Sequence, residues 1–280
     1  MDSKGLCGGI YRPLSTEGID TIHNAALTIL EQTGVAYEAG LESTAAMLAR
    51  AGAAVDEAAS RIRLPRDLVI SKANQAPSQV ILYSRDGKND LDLIEDKVHL
   101  GTGGAAVKIL DLESGQARPS TLKDLYDLGR LVDRLDHIHF FLRPCIPTDI
   151  PETDYDVNMF YASLKATAKH VMSGVNDEAG LLRAIEMASM LAGTQEQLKE
   201  KPFISIITSF AISPLKLCTQ STRIMQECNR QEIPVALSAA PMSGSTSPMT
   251  MAGTLAQLHA EQLAGITICQ LTRPGAPLLY

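Results

Sequence analysis

The feature that most constrains this chain is an order of short apolar run, loop and amphipathic stretch that repeats after residue 95. Val98-His99-Leu100 opens it, and 107–110 and 116–118 alternate as the arms of a hairpin about Ser114-Gly115. The spacing predicts a helix over 122–135, with Thr121 and Asp124 placed as a capping pair. Residues 137–142 read as a strand, 155–167 as a helix and 170–172 as a strand, and Asn176 is the expected cap of a helix over 178–191. Strand 203–208, helix 214–229 and strand 234–238 follow. Ser247 and Pro248 make an N-cap and first-turn pair for a helix over 249–263, and Ile268 or 277–280 begins a further strand. Strands alternating with helices predict parallel β-α units, and short apolar strands suit a sheet buried on both faces. An open doubly wound sheet and a barrel share this pattern.

The first 95 residues have another rhythm. Leu14 precedes the N-cap candidate Ser15, and Ile19, Ile22, Ala26, Ile29 and Leu30 recur at helical spacing up to Gly34. A second helix over 41–50, a strand over 61–64, a helix from Pro65 to Lys72 and a strand over 80–83 complete an α+β unit. The expected division is an N-terminal extension over 1–95 and a β-α part over 96–280.

Composition narrows the class. Hydrophobic residues make up 45% and charged residues 20%, enough apolar matter for a sizeable core. The net charge of −7, with no cluster of Lys and Arg, excludes a nucleic-acid partner held by phosphate contacts. No run of about 20 apolar residues predicts a membrane span, and the first residues lack a secretion signal's apolar core. Five cysteines without CxxC spacing suit reduced thiols in a cytoplasmic protein.

Four groups of residues carry candidate chemistry. Gly101-Thr102-Gly103-Gly104-Ala105-Ala106 fits a loose dinucleotide pattern, but the residues after it alternate like a strand, which favours a tight glycine turn. Its glycines would also let a ligand approach the backbone. The loop 243–248 offers hydroxyls and amides to an anion, or is simply a helix cap. His137 and His139 supply two-thirds of a zinc triad, and a packed or surface pair fits them better. Asp149, Glu152, Asp154 and Asp156 read as a solvated helix entry. Neither HExxH nor GxSxG occurs.

A series of short motifs then falls in order along the chain. Tyr11-Arg12-Pro13-Leu14-Ser15, His23 and 31–35 come first, followed by 51–53, 62–65, Ala76-Pro77 and Tyr83-Ser84-Arg85-Asp86. Gly101-Thr102-Gly103, Thr167-Ala168-Lys169-His170, Ser213-Pro214-Leu215, 242–248, 252–255, Ala260-Glu261 and 270–276 follow. In these motifs the chain resembles the trimethylamine methyltransferase (MttB-type) family. The resemblance implies a (β/α)₈ barrel of TIM type with an N-terminal α+β addition. It implies a methylated amine as donor, either trimethylamine or a quaternary amine such as glycine betaine. The acceptor it implies is the Co(I) corrinoid of a separate partner protein, so no cofactor or metal is bound directly. At about 31 residues per unit, the stretch after residue 95 supplies about six of eight β-α units. The expectation is therefore an incomplete barrel, truncated at its C-terminal end, with the pyrrolysine-bearing segment of some members absent. An inactive fragment and a metal-dependent barrel hydrolase are the alternatives, and a homo-oligomer is compatible with either state.

In such barrels reactive groups sit at the C-terminal strand ends. That rule selects Thr102, Arg143, Ser173, Ser209, Phe210 and Ser243 as substrate-pocket candidates. Arg143 or His170 is suited to a substrate carboxylate, and Phe210 to an ammonium face. No catalytic residue is assigned.

Overall fold

The computed structural model describes residues 6–280. Among these, the α-helices run in chain order as α1 Thr16–Thr28, α2 Glu42–Arg50, α3 Arg66–Ala73, α4 Leu122–Asp133, α5 Tyr155–Ala166, α6 Glu178–Ala192, α7 Gln195–Glu200, α8 Thr219–Arg230 and α9 Met251–Thr272. The fold is mixed α/β, with parallel strand pairs.

Local chemistry sets most of the boundaries. The Ser15 hydroxyl accepts from the Gly18 amide and starts α1. Thr121 and Asp124 form a reciprocal capping box at the start of α4. Other boundaries differ from the sequence reading. Asp177, one residue past Asn176, caps α6 by accepting from Gly180 N–H at 2.6 Å. The expected helix over 214–229 begins only at Thr219, because Leu215 has φ 52° and its carbonyl accepts from Ala36. Residues 211–217 form instead a hairpin, Ala211–Ile212 with Lys216–Leu217. Thr250, not Ser247, caps α9, which runs through Ile268 to Thr272. Regular strand in the segment 137–142 is confined to Phe141–Leu142.

The chain divides into two compact units. One takes the residues up to Gly8 with Gln79–Ile206, and the other Gly9–Ser78 with Ile207–Tyr280. These dividing points differ from a single one at residue 95.

In the first unit Phe141–Leu142 pairs in parallel with Val171–Ser173, and Val171–Ser173 in parallel with Ile204–Ile206. Gly101 adds a parallel bridge to Phe140. Helices α4, α5 and α6 pack in succession. Leu125, Val132, Met159, Phe160, Leu181 and Ile185 are their buried faces.

The second unit is built around α9, whose residues 260–270 are buried on every side. Helices α1, α2, α3 and α8 lie against it. A sheet in the order Ala211–Ile212, Lys216–Leu217, Val35–Tyr37, Arg61–Arg63, Ala54–Asp56 and a parallel pair, Val235–Leu237 with Leu278–Leu279, complete the unit. The wholly buried Phe210 ring lies on α9 where Gly265 leaves room; a Cβ there would overlap the ring.

Candidate active site

The C-terminal ends of the first unit's parallel strands bring three candidates side by side. The Thr102 hydroxyl donates to the Leu142 carbonyl at 2.6 Å. The Arg143 amide donates to Met172 O at 3.2 Å, which holds Arg143 level with the end of the neighbouring strand. Ser173 lies next along that strand, fully buried, its hydroxyl turned to Gly174 O.

Arg143 is the group with chemistry to spare. Its Nη1 donates to the Tyr155 hydroxyl at 3.2 Å, and its guanidinium carbon lies 5.9 Å from the centre of that ring. Among the described residues no carboxylate forms an ion pair with it. A guanidinium carries five N–H donors in a fixed fork, so most remain for a planar anion. Tyr155 opens α5 and is largely buried, and burial raises its phenol above the ordinary range.

The acidic run before α5 does not behave as one solvated group. Asp156 is only 4% exposed. Its Oδ2 accepts from Asn176 N–H at 2.9 Å, and its Oδ1 has no partner among the described residues. Burial, then the nearby Asp177, push its carboxyl upward, against the Asn176 hydrogen bond and the charges of Arg143 and Arg183. Gly180 is what admits this carboxyl, since a Cβ there would overlap Asp156 Oδ2. The sequence reading missed this residue. Cys145 lies buried nearby with its thiol pushed up to about 11 by burial, so it is not a thiolate nucleophile.

The remaining candidates fall elsewhere. His170 is 0% exposed; Nδ1 bonds with Tyr83 O at 2.9 Å and Nε2 with Ser205 Oγ at 2.8 Å. Burial lowers this imidazole to about 4. A neutral, fully engaged ring has nothing to offer a carboxylate, which corrects the expectation for His170. Its neighbour Lys169 does not face solvent either, because its ammonium donates to Val132 O, Leu135 O and Ile138 O at the end of α4. Phe210 is 0% exposed, a core ring rather than an ammonium cage. Ser209 and Ser243 are exposed in the second unit.

The loop around Ser243 turns its amides inward. Ser245, Thr246 and Ser247 N–H all donate to Met242 O, and the Ser243 hydroxyl meets Thr254 Oγ1 at 2.8 Å. These amides are therefore not free for an anion, and the cap of α9 is Thr250 rather than Ser247. After Gly101–Gly104 comes the hairpin Lys108–Leu110 with Ala117–Pro119, not a helix, so no dinucleotide site forms. His139 Nδ1 accepts from Leu100 N–H at 2.8 Å, and His137 is exposed. Among the described residues no group of three His, Cys, Asp or Glu side chains is placed to hold a metal ion. No helix among them is long and apolar enough to cross a membrane.

Comparison with known proteins follows the same residues. The family model for trimethylamine methyltransferase (MTTB) matches residues 7–280. The chain belongs to that family. A relative named trimethylamine methyltransferase MttB, from Desulfitobacterium hafniense strain DSM 10664 / DCB-2, is 33% identical over 280 residues, all of this chain and 55% of the relative. A glycine betaine methyltransferase from strain Y51 of the same species is 30% identical over 96% of this chain and 55% of its own length. The MttB of Methanosarcina barkeri strain Fusaro is 31% identical over 95% of this chain and 54% of its own. The chain thus spans about 55% of these methyltransferase relatives.

Proposed function

We propose that this chain is the donor-binding part of an enzyme that takes a methyl group from a methylated amine carrying a carboxylate. The acceptor in this reading is the Co(I) corrinoid of a partner protein, which supplies the nucleophile when docked. The C–N bond breaks with its electron pair going to nitrogen, and the amine leaves neutral. A quaternary nitrogen leaves without a general acid, so the site's task is to bind, orient and exclude water.

The observation that carries the choice of donor is Arg143. Its fork is fixed by Tyr155 and unclaimed by any described carboxylate. Such a cation pairs with the carboxylate of a betaine-type zwitterion and repels trimethylammonium, which has no anion to give it. A family that includes proteins named for trimethylamine and for glycine betaine makes this distinction relevant. Thr102 and the buried Asp156 would hold the walls on which Arg143 stands. We read the parallel strands as part of a (β/α)₈ barrel, with this cluster at its C-terminal mouth.

Calorimetric titration of this chain with glycine betaine and with trimethylammonium tests the reading. Saturable binding of the betaine alone, weakened about tenfold or more in Arg143→Ala (about 1.4 kcal/mol or more), is expected. Equal binding of both amines, or betaine binding that ignores Arg143→Ala, would remove Arg143 from the site.

A further inference from the structure

Two imidazoles far apart in sequence meet in the second unit. His23 Nδ1 of α1 and His259 Nε2 of α9 share a hydrogen bond of 2.8 Å. The other nitrogen of His259 meets the Tyr280 hydroxyl at 2.7 Å, with the phenol ring edge-on. The three side chains border a groove of about 400 Å³ whose other walls are the apolar Leu14, Ile19, Ile22, Leu255 and Leu258 and the acidic Asp20.

Asp20, one turn before His23 on α1, lines the same groove. Helix α3 packs on both α1 and α9, and its Arg66 is engaged by Asn24 and Thr28. On α9 itself, Glu261 accepts from the Ser213 hydroxyl and Leu215 N–H.

We propose that His23, His259 and Tyr280 form a proton-operated clasp that stays closed with no proton or one proton on the pair and releases α1 from α9 when the second binds. A neutral imidazole has one donor and one acceptor, so with both rings neutral the His23–His259 and His259–Tyr280 hydrogen bonds can be made together. One proton on His259 makes both its nitrogens donors, one to Tyr280 Oη and one to His23 Nδ1, and the geometry survives. A second proton, on His23, sets N–H against N–H at 2.8 Å and puts two like charges side by side, a clash that one carboxylate, Asp20, on the groove wall does not remove because both facing nitrogens are then donors. Separation of the helices relieves this. Burial, and then the His23 charge, already hold His259 below the usual histidine range. The closed form therefore binds fewer protons than the open one, and closure is favoured at higher pH and lost as pH falls.

Imidazole NMR titration of the whole chain, with amide hydrogen exchange of α1 followed over the same pH range, tests the clasp. The two histidines are expected to titrate as a coupled pair, in steps about 1 pH unit or more apart. Exchange in α1 should rise about tenfold or more as the second step completes. His23→Gln, which keeps a hydrogen-bonding side chain without the second charge, should abolish both the second step and the acid-induced exchange. Independent single-step titrations in the wild-type chain would overturn the proposal, whether or not the variant folds. So would exchange that stays flat through both steps, or that rises equally in His23→Gln.

Discussion

His170 shows how a residue's chemistry is set by what surrounds it. Its two ring nitrogens tie Tyr83 to Ser205 inside the first unit, and the ring is neutral because charging it there is costly. Its value falls from 6.5 to about 4 on folding. The sign follows: His170 contributes stability above about pH 6.5, and that contribution is lost as pH falls toward 4. Urea unfolding between pH 7 and 4 should show this slope, and His170→Gln should reduce it. His170→Ala should cost about 2–4 kcal/mol at pH 7 through a cavity and two unpartnered polar groups. At this scale the place of Arg143 at a strand end was legible, because that needs no knowledge of packing. His170 and Phe210 were not, since adjacency to a strand end does not say which face a side chain takes. Asp156 was hidden for a related reason: three acidic neighbours suggested water, while a glycine 24 positions later made room for burial.

At the scale of elements, α5 and α6 are joined by that same carboxyl. Asp156 in the first turn of α5 accepts from Asn176 N–H just before α6, and Gly180 in the first turn of α6 leaves it space. Gly180→Ala should raise helix propensity by about 1 kcal/mol, yet the overlap with a pinned, buried oxygen is expected to win. Net destabilisation of about 1–3 kcal/mol is the prediction, read as a lower urea midpoint. Asp156→Ala in that background should recover part of the loss, a coupling that a double-mutant cycle measures. A Gly180→Ala chain more stable than wild type would sink this account of the junction. Most helices could be read from periodicity and caps, as at Ser15 and Thr121. The start of α9 could not, because Ser247 and Thr250 are both good caps and the choice is made by the folded loop at Met242. The hairpin at 211–217 was equally hidden, since its partner Val35–Tyr37 lies about 180 residues away.

For the whole molecule, the order of elements was legible and their grouping was not. Residues 260–270 of α9 are buried all round because α1, α2, α3 and α8 cover that stretch of the helix, an arrangement that no local pattern records. The family, by contrast, was written in the ordered motifs from Tyr11 to Ala276, and the match over residues 7–280 bears that out. The central claim is the reaction assigned to that family framework. The most direct measurement is mass-spectrometric detection of the demethylated amine after incubating the protein with glycine betaine and a Co(I) corrinoid. The account predicts dimethylglycine that depends on both the protein and the corrinoid, and that falls about tenfold or more in Arg143→Ala (about 1.4 kcal/mol or more). Dimethylglycine formed equally without the corrinoid, or formed undiminished by Arg143→Ala, or no demethylation of any methylated amine at all, would contradict it.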